Sequence, residues 1–263
     1  MSYKTICMET DDRGVARLTL NVPDRHNALS GMMITELTKA AEQLGSDDVV
    51  RVVVLTGEGK SFCAGGDLGW MKRQRNQTRE ERMEGTLELA RMLRAMNELP
   101  KPVIGRIQGQ AFGGGIGMMS ICDVAIGVDT AKFGLTETRL GLIPATIGPY
   151  VVARMGEGNA RRVFMSGRRF DAHEAEKLGL LAKVVSKDEL DSAVEAEVEP
   201  YLSTAPGAVA ASKALVRSLG PRIDDAVMKD TASRLADTLE GKEAAEGISA
   251  FLEKRKPLWI VSD

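Results

Sequence analysis

Hydrophobic and polar residues in the first half of the chain alternate with the period of a strand in some segments and of a helix in others. Residues Val15 to Asn21 place Val, Arg and Thr on one side and Ala and Leu on the other, and Val49 to Thr56 is a β-branched run that ends at Gly57. Both segments predict strands. Between them, Ser30 is a candidate N-cap for an amphipathic helix that we expect to end at Gly45.

The same alternation continues to about residue 144. The predicted elements are a helix from Arg79 to Leu99, a strand from Val103 to Ile107, a glycine-dense turn from Gly109 to Gly117, a short helical segment from Met118 to Cys122 and a strand from Val124 to Val128. Alternating strands and helices of this kind indicate a layered α/β core.

Beyond Pro144 the helical period dominates. The predicted helices are Arg161 to Met165, Ala172 to Leu178, Lys187 to Leu202, Pro206 to Leu219, Asp224 to Leu239 and Lys242 to Lys254. No repeat, low-complexity segment or Pro/Ser-rich linker divides the sequence. We therefore expect the last third to pack on the core or on a neighbouring subunit.

Composition and charge narrow the function classes. The chain has 263 residues, 43% hydrophobic and 27% charged, so it can bury a sizeable core and is not a disordered chain. Its net charge of −2, with acids and bases mixed, argues against nucleic acid as a partner. No apolar run approaches the roughly 18 to 20 residues of a membrane-spanning helix. The start of the chain lacks the pattern of a secretory signal, so we predict a cytoplasmic protein with no membrane partner.

The spacing of the cysteines and histidines argues against a metal site and against a catalytic triad. Cys7, Cys63 and Cys122 are odd in number and far apart, which is typical of small buried hydrophobic residues in a reducing compartment. His26 and His173 have no metal-ligand spacing around them. A catalytic triad would have to recruit one of these histidines, and the Gly-x-Ser-x-Gly motif is absent. We predict no metal site.

Two glycine-rich turns follow predicted strands, at Ser61 to Leu68 and at Gln108 to Gly117. Glycines let backbone N–H groups approach a ligand closely, so two such loops can hold one developing oxyanion between them. The alternative is that the glycines only form tight turns and close helix packing. A dinucleotide-binding loop fits less well, because the glycines do not have the Gly-x-Gly-x-x-Gly spacing.

Several motifs in this order resemble the crotonase, or enoyl-CoA hydratase/isomerase, superfamily. They are Phe62-Cys63-Ala64-Gly65-Gly66-Asp67, Lys101-Pro102-Val103-Ile104, Gly113-Gly114-Gly115, Cys122-Asp123, Phe133-Gly134-Leu135-Thr136-Glu137 and Leu140-Gly141-Leu142-Ile143-Pro144. The resemblance runs from about Met8 to the tail that contains Lys256. It implies an α/β fold with a crotonase-type stacked ββα spiral core and a helical C-terminal region.

The resemblance also implies roles for single residues. Gly66 and Gly114 match the two oxyanion-hole positions, whose N–H groups hold the thioester oxygen of an acyl-CoA. Ala64 matches the position whose carbonyl contacts the adenine. Arg25 and Lys256 are looser candidates for the CoA phosphates. Coenzyme A is then part of the substrate, and no separate cofactor is expected.

The proton-transfer residues depart from the family pattern. Glu137 matches one of two glutamates that move protons in the hydratases, and the position of the other is Gly117. Two carboxylates can share the work of adding water across a C2=C3 bond, whereas one suffices to move a double bond. The single carboxylate favours double-bond isomerisation by mechanism. The resemblance nevertheless implies hydration of a 2-enoyl-CoA, or the reverse dehydration, with isomerisation as the alternative.

The segment Ala145 to Arg154 departs from the glycine-rich stretch usual after Pro144. It is similar to members that act on branched or glutaconyl-type thioesters in leucine or terpenoid breakdown. A non-catalytic acyl-CoA-binding or RNA-associated protein on the same fold is a third hypothesis. Glu137 argues against lost catalysis, and the net charge argues against RNA.

Two further residue interpretations, a division of the chain and an oligomeric state complete the expectations. Asp67 is interpreted as an acceptor for loop N–H groups rather than a catalyst. Trp70, Met71 and Met92 are interpreted as a helix face packed on the core, with the acyl pocket as the alternative. Residues 1–200 are expected to form the spiral core with the acyl-CoA site. Residues 201–263 are expected to form a helical trimerisation region, which gives a homotrimer or a dimer of trimers.

Overall fold

A computed structural model describes residues 3–67, 69 and 77–261 as two β-sheets with helices packed around them. The strands are β1 Ile6–Thr10, β2 Val15–Leu20, β3 Val52–Gly57, β4 Ser61–Cys63, β5 Val103–Ile107, β6 Gln110–Phe112, β7 Val124–Val128, β8 Lys132–Gly134, β9 Arg169–Asp171 and β10 Lys183–Val185. The six-stranded sheet has the order β1-β2-β3-β5-β7-β10, and the four-stranded sheet has the order β4-β6-β8-β9. Strand pairing is parallel except for β1 with β2 and β8 with β9. The predicted α/β class is confirmed.

The helices cover these sheets and fill the C-terminal third. They are α1 Gly31–Ser46, α2 Arg79–Asn97, α3 Gly114–Ser120, α4 Gly148–Met155, α5 Glu157–Phe164, α6 Ala172–Lys177, α7 Leu190–Leu202, α8 Pro206–Leu219, α9 Asp225–Leu239 and α10 Lys242–Leu252. Short 3₁₀ helices lie at Pro23–Arg25, Glu137–Leu140 and Lys187–Glu189.

The core forms where the predicted apolar faces meet. All six residues of β3 are buried, as expected for a parallel strand covered on both faces. Helix α1 buries Met33, Leu37 and Leu44 against the sheet, and the Ser30 hydroxyl caps it by accepting the N–H of Met33. The predicted helix at Ser30 is therefore confirmed.

Two helix boundaries differ from the predictions, and both lie at glycines. Helix α1 runs past Gly45 to Ser46, and a Cβ on Gly45 would lie 3.4 Å from the side chains of Leu99 and Pro100. Gly45 therefore lies within the helix, where a Cβ would make only ordinary van der Waals contact, and does not end it. Helix α3 begins at Gly114, four residues before the predicted start, because Gly113 turns the chain with a φ of 49°.

The sequence pattern also missed short elements. Strands β4, β6, β8 and β9 have three residues each, too few for an alternating pattern to be recognised. Helix α4 was not predicted either. Cys63 and Cys122 are buried as expected, but the prediction for Cys7 was wrong, since Cys7 is exposed on the edge strand β1.

The C-terminal helices pack on the core of the same chain. Arg79 of α2 forms an ion pair of 2.7 Å with Asp237 of α9, and α10 lies against the 3₁₀ helix Glu137–Leu140. Leu142, Leu235, Ala244 and Ile248 form a small second core there. The predicted domain boundary at residue 200 falls inside α7. Of the helices that the structure describes, none has the length and apolar character needed to cross a membrane.

Candidate active site

The side chain of Asn27 fixes the turn that precedes the first glycine loop. Asn27 is fully buried with a φ of 53°, and its amide donates to the carbonyls of Glu58 and Ser61 at 2.9 and 2.8 Å. Its Oδ1 accepts the N–H of Val22. The His26 carbonyl then accepts the N–H of Ala64 at 2.9 Å. The sequence analysis missed Asn27, because its bonds join segments more than 30 residues apart.

The two glycine loops lie in backbone contact. Strands β4 and β6 pair in parallel, so the two loops that follow them leave the four-stranded sheet at the same edge. A Cβ on Gly65 would lie 2.7 Å from the carbonyl oxygen of Phe112 and 3.3 Å from the nitrogen of Gly114. Gly65 also has a φ of 91°, which favours glycine. Gly65 therefore allows the close approach of the two loops, which brings the candidate oxyanion positions Gly66 and Gly114 to one region.

Gly66 and Gly114 both line one cavity. Gly66 forms a bridge with Leu29, in which the N–H of Leu29 donates to the carbonyl of Gly65 at 2.7 Å. The N–H groups of Gly66 and Gly114 donate to no acceptor within residues 3–67, 69 and 77–261. Two N–H groups without acceptors at a cavity wall are suited to bind an oxygen that gains negative charge.

Glu137 lines the same cavity and lies just after strand β8. It is the first residue of a 3₁₀ helix after β8, and a Cβ on Gly113 would lie 3.0 Å from its Oε1. Its Oε2 is sealed from solvent without a hydrogen-bond partner among the described residues. Burial raises the pKa of Glu137 from 4.5 to about 7, although its own backbone N–H lowers the pKa. A carboxyl group with a pKa near neutrality is suited to accept and return a proton.

The cavity itself is small and mainly apolar. Its volume is about 100 Å³, and Leu29, Ile34, Leu89, Leu140, Leu142, Ile143 and Leu235 contribute to its wall. Leu235 comes from α9, so the C-terminal third of the same chain helps to close the site. No Lys or Arg lines this cavity among the residues described. A larger cavity of about 630 Å³, beside Tyr150 and Arg222, contains neither glycine loop nor Glu137.

The position of the missing glutamate is blocked. Gly117 is buried in α3, and a Cβ there would overlap the Cγ2 methyl of Ile147 and lie 2.9 Å from its Cβ. Ile147, the residue before α4, thus takes the space into which a second carboxylate would point. Thr146, beside it, is the other polar side chain besides Glu137 among the described lining residues. The sequence marks their segment as a departure from the family pattern but indicates no role for either residue.

The candidates for binding CoA lie at the surface. The Ala64 carbonyl accepts no hydrogen bond from a described residue. Arg25 is exposed, and its guanidinium lies 3.7 Å from the carboxylate of Asp67, whose own N–H donates to the Leu29 carbonyl. Lys256 lies in the exposed segment after α10.

The remaining predictions concern the helix face with Trp70, Met71 and Met92, and the metal site. Met92 is fully buried in the core, as interpreted. Trp70 and Met71 lie outside the described residues. Within the described ranges, no three His, Cys, Asp or Glu side chains form a group that would hold a metal ion.

Known proteins resemble the chain over nearly its whole length. The family model for enoyl-CoA hydratase/isomerase matches residues 10–261. The enoyl-CoA hydratase AKT6-1 of Alternaria alternata is 32% identical over 92% of this chain and 80% of its own length. An enoyl-CoA hydratase structure from Shewanella pealeana has a TM-score of 0.80 and 36% identity, covering 97% of this chain and 96% of its own. A structure from Legionella pneumophila named as a crotonase has a TM-score of 0.79 and 38% identity, covering 98% and 100%. The predicted crotonase-type fold is confirmed.

We expect Gly117→Ala to lower the free energy of unfolding by about 1 to 3 kcal/mol, because the added methyl group overlaps Ile147 in a packed interior. The matched control is Gly158→Ala in α5, where a Cβ meets nothing within 4 Å. That substitution should leave stability equal or raise it by up to about 1 kcal/mol. Denaturant unfolding measures both, and equal effects would contradict the proposed overlap.

We also expect Glu137→Gln to stabilise the chain increasingly as the pH rises from about 5 to 8. The folded-state pKa of about 7 lies above the ordinary 4.5, so the folded chain binds this proton more tightly than the unfolded chain. The stability that Glu137 contributes is complete below 4.5 and is lost as the pH rises through 7. The difference in unfolding free energy between variant and wild type should grow by about 1 to 3 kcal/mol over this interval. The exposed Glu199→Gln is the control, and a difference independent of pH would refute the raised pKa.

Proposed function

The chain belongs to the enoyl-CoA hydratase/isomerase family and is an enzyme of that family, and on this premise we propose that it hydrates a 2-enoyl-CoA thioester with Glu137 as the one carboxylate that moves protons. The observation that carries the proposal is the juxtaposition, in one cavity, of the Glu137 carboxyl group with two backbone N–H groups that have no acceptor among the described residues. We propose Gly66 and Gly114 as the oxyanion hole.

Each step of the reaction uses a group at this cavity. A water molecule gives one proton to the Glu137 carboxylate, and the resulting hydroxide bonds to C3 of the substrate. The electrons of the C2=C3 bond move to the thioester, whose oxygen gains negative charge against the N–H groups of Gly66 and Gly114. Glu137 then returns its proton to C2. The product is a 3-hydroxyacyl-CoA, and Glu137 is again ionised.

Double-bond isomerisation is the second candidate function, because the site offers one carboxylate. In that reaction Glu137 takes a proton from C2 of a 3-enoyl-CoA and returns it to C4, with the same stabilised enolate between the steps. The blocked position at Gly117 favours this reaction, whereas the hydratases among the relatives favour hydration.

For the substrate we propose a branched or glutaconyl-type acyl group, as occurs in leucine or terpenoid breakdown, and the cytoplasm as the compartment. The apolar lining supports a branched aliphatic chain. A glutaconyl carboxylate would need a cation from beyond the described lining residues, which include no Lys or Arg. We propose that the Ala64 carbonyl contacts the adenine and that Arg25 and Lys256 contact the phosphates.

For the assembly we propose a homotrimer or a dimer of trimers. Leu215, Val216 and Leu219 of α8 are all more than half exposed, which leaves an apolar face uncovered in the single chain. Sedimentation tests this proposal, and a stable monomer at micromolar concentration would contradict it.

The proposed function is tested by incubating the wild-type protein separately with crotonyl-CoA, 3-methylglutaconyl-CoA and a 3-enoyl-CoA. A gain of one water in the product mass identifies hydration. In H₂O, an unchanged mass with a moved double bond identifies isomerisation, and in D₂O incorporation of deuterium into the acyl chain supports it. Turnover of the 3-enoyl-CoA alone would replace hydration by the second candidate, and no turnover of any substrate would refute both.

We expect Glu137→Gln to reduce kcat by at least about 10²-fold while acyl-CoA binding is retained, because the amide cannot accept the proton. In the wild type, kcat/KM should rise with pH and level off above about 7, since the ionised carboxylate is the form that accepts the proton from water. Steady-state kinetics and equilibrium binding measure these effects. Activity of the variant within a few-fold of wild type would remove Glu137 from the mechanism.

We expect Gly117→Glu alone to fold poorly, and Gly117→Glu combined with Ile147→Gly to fold and to hydrate crotonyl-CoA faster than Ile147→Gly alone. The second substitution removes the side chain that occupies the space, so two carboxylates can then face one water. Thermal unfolding confirms folding before the rates are compared. If the folded double variant binds substrate without a faster hydration, the missing carboxylate does not limit this reaction.

A further inference from the structure

We propose that the Thr146 hydroxyl holds the attacking water against Glu137, in the role that a second carboxylate would otherwise have. This inference rests on the proposed hydration reaction and names a further residue of that same site. It starts from the composition of the cavity wall. Of the described lining residues, Glu137 and Thr146 alone carry a polar side chain.

Thr146 borders the cavity and is largely shielded from bulk solvent. The residue is only 6% exposed. Its hydroxyl makes no hydrogen bond with a described residue, and the hydroxyl oxygen is not fully enclosed by the protein. A buried residue that lines the cavity, and whose hydroxyl has no partner among the described residues, can offer a hydrogen bond to a water molecule there.

The backbone around Thr146 is held firmly enough to position a water. The N–H of Ala145 donates to the Ile143 carbonyl at 2.8 Å, and the N–H of Gly148 donates to the Ala145 carbonyl at 3.1 Å. The Ile147 carbonyl accepts the first N–H groups of α4, from Tyr150 and Val151. Thr146 therefore lies in a hydrogen-bonded turn fixed to a helix start.

The same turn accounts for the absence of the second carboxylate. Ile147 closes the space above Gly117, and Thr146 precedes it directly in the chain. The two neighbouring residues thus block a carboxylate at position 117 and supply a hydroxyl group instead. A water bound there can donate one hydrogen to the Glu137 carboxylate and the other to Thr146 Oγ1, which leaves a lone pair for C3. Glu137 takes the first proton and returns it to C2, while Thr146 keeps its own proton throughout.

The test compares Thr146→Val, which has nearly the same shape without the hydroxyl, with Thr146→Ser, which keeps it. Crotonyl-CoA hydration is measured from pH 5 to 9, with thermal unfolding of each variant. We expect Thr146→Val to lower kcat by about 10²-fold with KM within about threefold, because the water loses its orientation. The inflection of kcat/KM near pH 7 should stay, since Glu137 is unchanged. Thr146→Ser should recover kcat to within about fivefold of wild type.

The control is Thr35→Val on the exposed side of α1, which should match the wild type in every measurement. Hydration by Thr146→Val within threefold of wild type would overturn the inference. A change confined to KM would assign Thr146 to substrate recognition instead, and equal losses in Thr146→Val and Thr146→Ser would assign it to packing. Absence of hydration by the wild type refutes the proposed function and this inference together. Hydration by the wild type with any of the other three outcomes refutes the inference alone.

Discussion

The site depends on one backbone contact, between the loop at Gly65 and the loop at Gly114. The parallel pairing of β4 with β6 brings both loops to one edge of the smaller sheet, and the absence of a Cβ lets them approach to van der Waals distance. The contact leaves the N–H groups of Gly66 and Gly114 at one cavity wall. Larger side chains in these loops would separate the two N–H groups, and an oxyanion hole requires both donors near one oxygen.

Burial gives the carboxyl group its chemistry at a cost in stability. The apolar side chains around Glu137 raise its pKa to about 7, so the group can exchange a proton near neutral pH. The same burial disfavours the ionised form that catalysis needs as a base. Leu235 of α9 completes this apolar wall, so the C-terminal helices affect the acid–base chemistry although they contribute no charged group to the cavity wall. Folding and function are therefore linked at this residue.

The segment from Pro144 to Gly148 distinguishes this site from one with two carboxylates. Ile147 excludes a side chain at Gly117, which makes glycine the residue that the packing of α3 requires. Thr146 lines the same cavity as Glu137. A single carboxylate combined with a positioned water is chemically reasonable, because positioning can supply a large part of a rate enhancement. The loss of a glutamate in the sequence therefore need not mean the loss of hydration.

The sequence by itself determined the α/β class, the long helices, the central strands and the glycine loops, since periodicity and motif spacing are local properties of the chain. Its resemblance to the crotonase family also identified Glu137 and the unusual Gly117. Tertiary structure alone decided what surrounds them. The contact of Gly117 with Ile147, the bonds of Asn27 to Glu58 and Ser61, and the entry of Leu235 into the cavity join residues about 30 to 170 positions apart. No local pattern encodes such contacts, because each depends on how separate elements pack.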